Sequence, residues 1–171
     1  MSYQYEFVDT NMGRFLLMSR ADRLVYVGGP QSQLEDAREM LHLTDDAQFE
    51  ANALAPGLVA SFRTLLTGET TPMDPCLYAV HGTDFQQTVY EQLRAVPFGE
   101  TRTYSQLAEA IGRPNSVRAV AHAVAQNPLL IVQPCHRIVP KAGGIGQYSG
   151  GRDLKRKLLD FEAGKCVDLP M

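Results

Sequence analysis

The aliphatic run Leu129-Leu130-Ile131-Val132 leads directly into Gln133-Pro134-Cys135-His136-Arg137-Ile138-Val139-Pro140, and the rest of the chain has to be organised around this stretch. Four consecutive large aliphatic side chains need an interior, so the groups that follow are carried against a core. Those groups are a thiol, an imidazole and a guanidinium. The thiolate is the nucleophilic form of cysteine, and a thiol beside a base or a cation is far more reactive than one in an apolar core. Taken alone, a Cys-His pair is more often a packing coincidence than a catalytic device, so its meaning rests on what the remaining residues bring to it.

With 171 residues, 44% of them apolar, the chain suits one compact domain or two small ones. It opens Met1-Ser2-Tyr3-Gln4 with no basic region and contains no run of about 18 apolar residues, so a soluble cytoplasmic protein without a membrane partner is expected. Cys76, Cys135 and Cys166 are odd in number and far apart, which argues against a disulfide framework. Neither they nor His42, His81, His122 and His136 stand at metal-ligand spacings, so no metal is expected. Residues 1–81 hold 5 basic against 11 acidic side chains, a net of −6, and residues 82–171 hold 11 against 8, a net of +3. The second half is the better partner for a polyanion, although +3 is within what an ordinary solvated surface carries.

Tyr3 to Val8, Arg14 to Ser19 and Leu24 to Val27 alternate with turn residues and predict a small antiparallel meander. Helices are expected over Gln33 to Leu43 and Pro56 to Leu66, with Thr70 to Pro75 connecting a domain of residues 1–80 to one of residues 81–171. A helix capped by Thr83 or Asp84 then carries Phe85, Val89, Leu93 and Val96 inward. The short helix Gln106 to Ile111, the turn Gly112 to Asn115 and a helix from Ser116 to about Gln126 outline a helix-turn-helix. The fold class is therefore α/β plus α: a small amino-terminal antiparallel sheet with helices, then a mainly helical, winged-helix-like helix-turn-helix domain.

On the second helix of that pair, Val117, Val120, Ala121 and Val124 form the predicted core stripe, with Arg118 and His122 on another face near Ala119 and Ala123. Small residues around an arginine would let the helix approach DNA closely, and a solvated alanine-rich face reads equally well. Gly143 to Gly151 is a glycine-rich loop without the Lys-Ser/Thr of a phosphate loop; its backbone donors, Tyr148 and Ser149 suit a planar ligand. A last helix, Asp153 to Ala163, is expected to bury Leu154, Leu158 and Phe161 and to present Lys155, Arg156 and Lys157 to solvent, with Cys166 a bystander beyond it.

Pro134-Cys135-His136-Arg137, Asn127-Pro128, Thr103-Tyr104-Ser105-Gln106-Leu107-Ala108, Arg118-Ala119-Val120, Tyr148-Ser149-Gly150-Gly151 and Leu158-Leu159 with Glu162 and Gly164 recur in one order and spacing. In this, residues 82 to 165 resemble the O6-alkylguanine-DNA alkyltransferases. The resemblance implies that Cys135 accepts an alkyl group, irreversibly and without a cofactor, from O6-alkylguanine or O4-alkylthymine in double-stranded DNA, in a protein acting as a monomer. It implies that His136 takes the thiol proton through a water, that Glu162 orients His136, and that Asn127 braces the turn before the cysteine. Arg118 would fill the stack vacated by an extruded base, and Tyr104 would assist its rotation and then bond it. Ser149, with backbone near Cys135 and Ile138, would wall the flipped guanine, and Tyr148 and Pro128 would supply apolar pocket surface; Arg137 would be structural.

One departure stands next to the site: Gln133 occupies a position where the family usually has an aliphatic residue, and its amide must find a partner. Alkyltransferase-like binding modules lack the acceptor cysteine, which is present here. A cysteine hydrolase would need direct Cys-His contact, awkward for adjacent residues of a strand.

Overall fold

The computed structural model describes residues 1–68 and 70–165. Three strands, β1 (Ser2–Thr10), β2 (Gly13–Arg20) and β3 (Arg23–Gly28), form the expected meander. The chain then crosses through helix α1 (Leu34–Met40) to a short strand β4 (Gln48–Ala51), which pairs parallel to β1. The sheet, in the order β3-β2-β1-β4, is therefore mixed rather than purely antiparallel. β4 escapes a reading by pattern because the alternation of Gln48-Phe49-Glu50-Ala51 lasts only four residues and the segment is mostly exposed; the free edge of β1 defines it.

Both faces of β2 are covered, so Phe15, Leu16, Leu17 and Met18 are all buried. Leu16 and Met18 pack with Tyr3, Tyr26 and Ala37 of α1. Phe15 and Leu17 face the other way, toward α2 (Pro56–Thr64), where Phe15 and Phe62 meet edge to face at 5.3 Å. The same apolar cluster continues through Val89, Leu93, Val120, Val124, Leu129 and Leu158.

The helical half begins with α3 (Asp84–Arg94), where Thr83 and Gln86 cap each other's backbone N–H groups. Thr103 and Gln106 repeat that device at the start of α4 (Tyr104–Ala110). Gly112, at φ +74, makes the left-handed turn toward α5 (Val117–Ala125). Burial on α5 falls on Val120, Ala123 and Val124, while Val117 and Ala121 are only partly covered. Ala123 thus belongs to the core rather than beside Arg118. Two-residue strands β5 (Arg102–Thr103) and β6 (Ile138–Val139) pair in parallel, and α6 (Arg152–Glu162) closes the structure.

The aliphatic run before Cys135 is not a strand. The backbone of Val27 bonds both the Pro128 carbonyl (2.8 Å) and the Leu130 amide (3.3 Å), after which the chain folds back so that the Gln133 amide reaches the Leu129 carbonyl at 3.0 Å. Ile131 at the apex adopts φ +71, a strained value for a β-branched residue. Cys135–Arg137 then forms a single 3-10 turn instead of extended chain. Pro128 and Pro134 cannot donate to a ladder, and the Asn127 side chain occupies the Leu129 amide and the Gln133 carbonyl that a ladder would have used.

Among the described residues no helix is long and apolar enough to cross a membrane, and no group of three or more metal-ligating side chains is assembled. Phe62, fully buried and stacked on Phe15, is the joint between sheet and helices. Phe62→Ala is expected to destabilise the fold by about 3–5 kcal/mol in urea unfolding, whereas Phe49→Ala at the exposed edge strand should cost well under half as much.

Candidate active site

Cys135 is 4% exposed, and its thiol forms the floor of a cavity of about 540 Å³. The walls are Tyr104 from α4, Ala121, Val124 and Ala125 from α5, and Pro140, Tyr148 and Ser149 from the segment before α6. A larger cleft of about 1010 Å³ lies between the Gly29–Ser32 loop, α1 and the start of α6, and it does not include the thiol. The smaller cavity has the concave, mostly apolar character of a small-molecule site.

Behind the thiol, the carboxylate of Glu162 accepts from one imidazole and one guanidinium. His136 Nε2 lies 2.8 Å from Glu162 Oε1, and Arg137 donates from Nε (2.9 Å) and Nη2 (2.8 Å) to the two oxygens. The remaining Arg137 Nη1 donates to the Val96 carbonyl at 2.8 Å. Burial disfavours ionised Glu162, but the hydrogen bonds from His136 and Arg137 outweigh it and hold the carboxyl down at about 2. An ionised carboxylate only accepts, so His136 carries its proton on Nε2. Burial lowers the His136 pKa despite Glu162, which keeps the ring neutral. Nδ1 is then a lone-pair acceptor, and it is buried with no hydrogen-bond partner among the described residues. The Tyr148 hydroxyl is the second such atom; its ring stands edge-on to His136 at 6.5 Å.

Asn127 and Gln133 form the floor of the turn. Asn127 Oδ1 accepts from the Leu129 amide (3.0 Å) and from Gln133 Nε2 (2.8 Å), while its Nδ2 donates to the Gln133 carbonyl (2.9 Å). The buried Gln133 amide therefore finds its partners inside, its Oε1 accepting from Arg94 Nη1.

Lys155 overturns its expected exposure. It is 0% exposed, and its Nζ donates to the carbonyls of Ile138 (2.7 Å) and Gln147 (3.3 Å). Its spacing to Leu158 and Glu162, at i+3 and i+7, was a visible signal that it shares the inward face of α6. Burial lowers the Lys155 pKa to about 8, opposed by the nearby Cys135. Burial likewise pushes the Cys135 thiol up to about 11, against opposing effects from the Asn127 amide and the Lys155 charge.

The candidates from sequence divide in two. Cys135, Tyr104, Tyr148 and Ser149 meet at the cavity, with His136, Glu162 and Asn127 directly behind it. Pro128 and Ile138 are buried outside the lining, engaged through their carbonyls with Val27 and Lys155, and Pro140 is the proline in the wall. Arg118 is exposed on α5 beside Ala119 and near His122, away from the thiol. The Ser149 loop is seated against the sheet: a Cβ on Gly29 would stand 2.7 Å from Gly150 Cα, so only glycine permits that approach. Cys166 lies outside the described residues.

Glu162→Gln should destabilise the protein by about 3–5 kcal/mol at pH 7, since the amide keeps one acceptor oxygen, turns an NH₂ toward the donors in place of the other and leaves the Arg137 charge without its counter-charge. Because the folded pKa of about 2 lies below the ordinary 4.5, Glu162 contributes stability that is full above 4.5 and lost as pH falls toward 2. The difference between wild type and variant in denaturant unfolding is therefore expected to shrink over that window.

Residues 84–164 match the DNA-binding domain of 6-O-methylguanine DNA methyltransferase. The chain is 34% identical over 162 residues to the methylated-DNA–protein-cysteine methyltransferase of Mycobacterium tuberculosis, covering 95% of this chain and 93% of that one. It is 35% identical over 170 residues to the inducible enzyme of that name from Bacillus subtilis, covering 91% and 89%. The crystal structure of the M. tuberculosis O6-methylguanine methyltransferase matches with a TM-score of 0.78 at 32% identity over 97% of this chain and 96% of that one. The structure of M. tuberculosis OGT in complex with DNA matches with a TM-score of 0.76 at 30% identity, over 96% and 94%. With at least 30% identity to these relatives over nearly the whole length of both chains, the chain belongs to the methylated-DNA–protein-cysteine methyltransferase family.

Proposed function

We propose that this protein repairs DNA by taking an alkyl group from O6 of guanine, and also from O4 of thymine, onto Cys135, and that each chain acts once. The observation that carries the reading is buried Cys135 in the lining of a solvent-accessible cavity, with neutral His136 and ionised Glu162 behind it.

A thiol held at about 11 is thiolate in only about one molecule in ten thousand at pH 7, so the nucleophile is generated during the reaction. The thiol proton passes through a water to His136 Nδ1, the one ring nitrogen that Glu162 leaves as an acceptor. The sulfur attacks the alkyl carbon; the S–C bond forms as the C–O6 bond breaks, and the electron pair moves onto the guanine, which takes up a proton and leaves. Glu162 stabilises the imidazolium and Lys155 the sulfur charge that develop on the way. The product is a thioether, which nothing in this chemistry reverses. No cofactor enters.

A base within a stacked duplex cannot reach a buried thiol, so the lesion has to rotate out of the helix at a cost of a few kcal/mol. In this reading α5 lies in the minor groove of a duplex carrying O6-alkylguanine, and exposed Arg118, with the small Ala119 alongside, takes the vacated place. Tyr104 and Ser149 bond the extruded base, and Tyr148 packs against it within the cavity they line. Pro128 and Ile138 act at one remove, holding the backbone that frames the site. The reading also takes residues 81–171 as the domain that binds DNA and accepts the alkyl group, residues 1–80 as its support, and a monomer acting in the cytoplasm.

Incubation with duplex DNA carrying methyl-labelled O6-methylguanine is expected to place one label per chain on Cys135, and none on Cys135→Ser; repeated turnover or label on another cysteine would contradict the mechanism. Arg118→Ala should slow repair of duplex DNA by about tenfold or more while changing reaction with free O6-benzylguanine by less than about twofold, since a free base needs no extrusion. Equal losses on both substrates would remove Arg118 from base extrusion.

A further inference from the structure

We propose that Gln133, anchored by Arg94, is a positioning residue for alkyl acceptance: it fixes the Asn127 carboxamide so that its N–H edge, and not its carbonyl, serves the turn that carries Cys135. This rests on Cys135 being the acceptor.

The bonding leaves little freedom. An arginine has only donors, so the Gln133 oxygen must face Arg94 and its NH₂ must face Asn127. Asn127 Oδ1 thereby accepts two N–H groups, from Gln133 Nε2 and the Leu129 amide, and Nδ2 is turned to the Gln133 carbonyl. That carbonyl also accepts from the Cys135 amide at 2.7 Å, so the same residue touches Asn127 through its side chain and Cys135 through its backbone. Two donors on Oδ1 polarise the amide and make Nδ2–H a stronger donor. The network runs from the half-buried cation of Arg94 on α3 through two side chains that are 0% and 2% exposed. An apolar side chain would fill this position without a partner, whereas the buried Gln133 amide is kept only because both its ends are hydrogen-bonded, which fixes its orientation.

What it does is favour the sulfur anion. Burial raises the Cys135 pKa, and Asn127 is the first of the influences that oppose it. The titratable groups around the thiol are Tyr90 from α3, Tyr104 from α4, Tyr148 from the glycine-rich loop, Lys155 from α6 and His136 in the same turn. The part of α5 that lines the cavity, Ala121, Val124 and Ala125, adds none. A change at Gln133 leaves all of these in place, so a displaced pH profile reports the Asn127 orientation.

The test measures the rate of alkylation at Cys135 in the full chain between pH 6 and 10, with O6-benzylguanine and separately with iodoacetamide, both read by peptide mass. The variants are Gln133→Met, Gln133→Glu, which keeps the acceptor for Arg94 but offers Asn127 no donor, and the pair Arg94→Met with Gln133→Met, which removes both partners together and leaves no orphaned cation. Because the thiol stands at about 11, thiolate is scarce across this whole range, so an upward shift by about one unit makes all three react about tenfold more slowly than wild type from pH 6 to 10, with both reagents and with rates that still rise about tenfold per pH unit. A loss with O6-benzylguanine but none with iodoacetamide, or wild-type rates at pH 7 in the folded double variant, would overturn the proposal. If Cys135 takes iodoacetamide with the predicted shift but never the benzyl group, the orientation claim stands and the acceptor reading falls.

Discussion

One carboxylate, Glu162, holds the end of α6 to the 3-10 turn bearing the thiol and, through Arg137, to the Val96 carbonyl just past α3. Its side chain is 7% exposed, and such a charge persists inside a protein only when surrounded by donors, here a guanidinium fork and an imidazole. The same pairing decides the tautomer of His136. Fold and chemistry are thus set by a single group: were the carboxylate absent, the turn would lose its anchor and the histidine its assigned proton. Arg137 supports the reaction by keeping Glu162 ionised without approaching the thiol cavity, whose lining does not include it.

On the other side of the sulfur the turn is held by neutral groups. Asn127 occupies backbone sites that a strand would have used, and Ile131 accepts a left-handed conformation as the chain reverses. That strain is stored beside a functional residue, and the packing of Leu129, Leu130 and Val132 keeps it in place. Lys155 completes the surroundings with a charge tied to two carbonyls rather than to a carboxylate, so its field remains directed at the site. The thiol is therefore kept protonated by burial and surrounded by groups that favour its anion, an arrangement suited to a nucleophile used once and protected until then.

Much of this was legible in the sequence. The meander, the helix capped at Thr83 and the helix-turn-helix followed from turn residues, a cap residue and periodicity, because those signals are local, while the Thr103 cap that starts α4 at Tyr104 instead of Gln106 was not read. β4 was invisible because its partner is an edge 46 residues away in sequence, and the reversal within Leu129–Val132 was not foreseen because a side chain, Asn127, takes over its hydrogen bonding. At the site, Cys135 and His136 were marked by their own chemistry, Glu162 and Asn127 were implied by the family resemblance, and Gln133 was marked as a residue needing a partner. That the partner is Arg94, 39 residues away, could come only from the fold. Lys155 was assigned to solvent on charge alone, although its place on the face of Leu158 and Glu162 pointed inward. A long side chain whose ammonium can reach two carbonyls is buried at far less cost than the residue type suggests.

The central claim is that burial keeps His136 neutral and Glu162 fixes its proton on Nε2, leaving Nδ1 as the base. Nitrogen-15 NMR of the imidazole ring in the free protein at pH 7 tests it most directly. The account predicts a protonated Nε2 coupled to its hydrogen and an unprotonated Nδ1, with that pattern lost in Glu162→Gln. A ring protonated on Nδ1 alone, or a doubly protonated imidazolium, would contradict it.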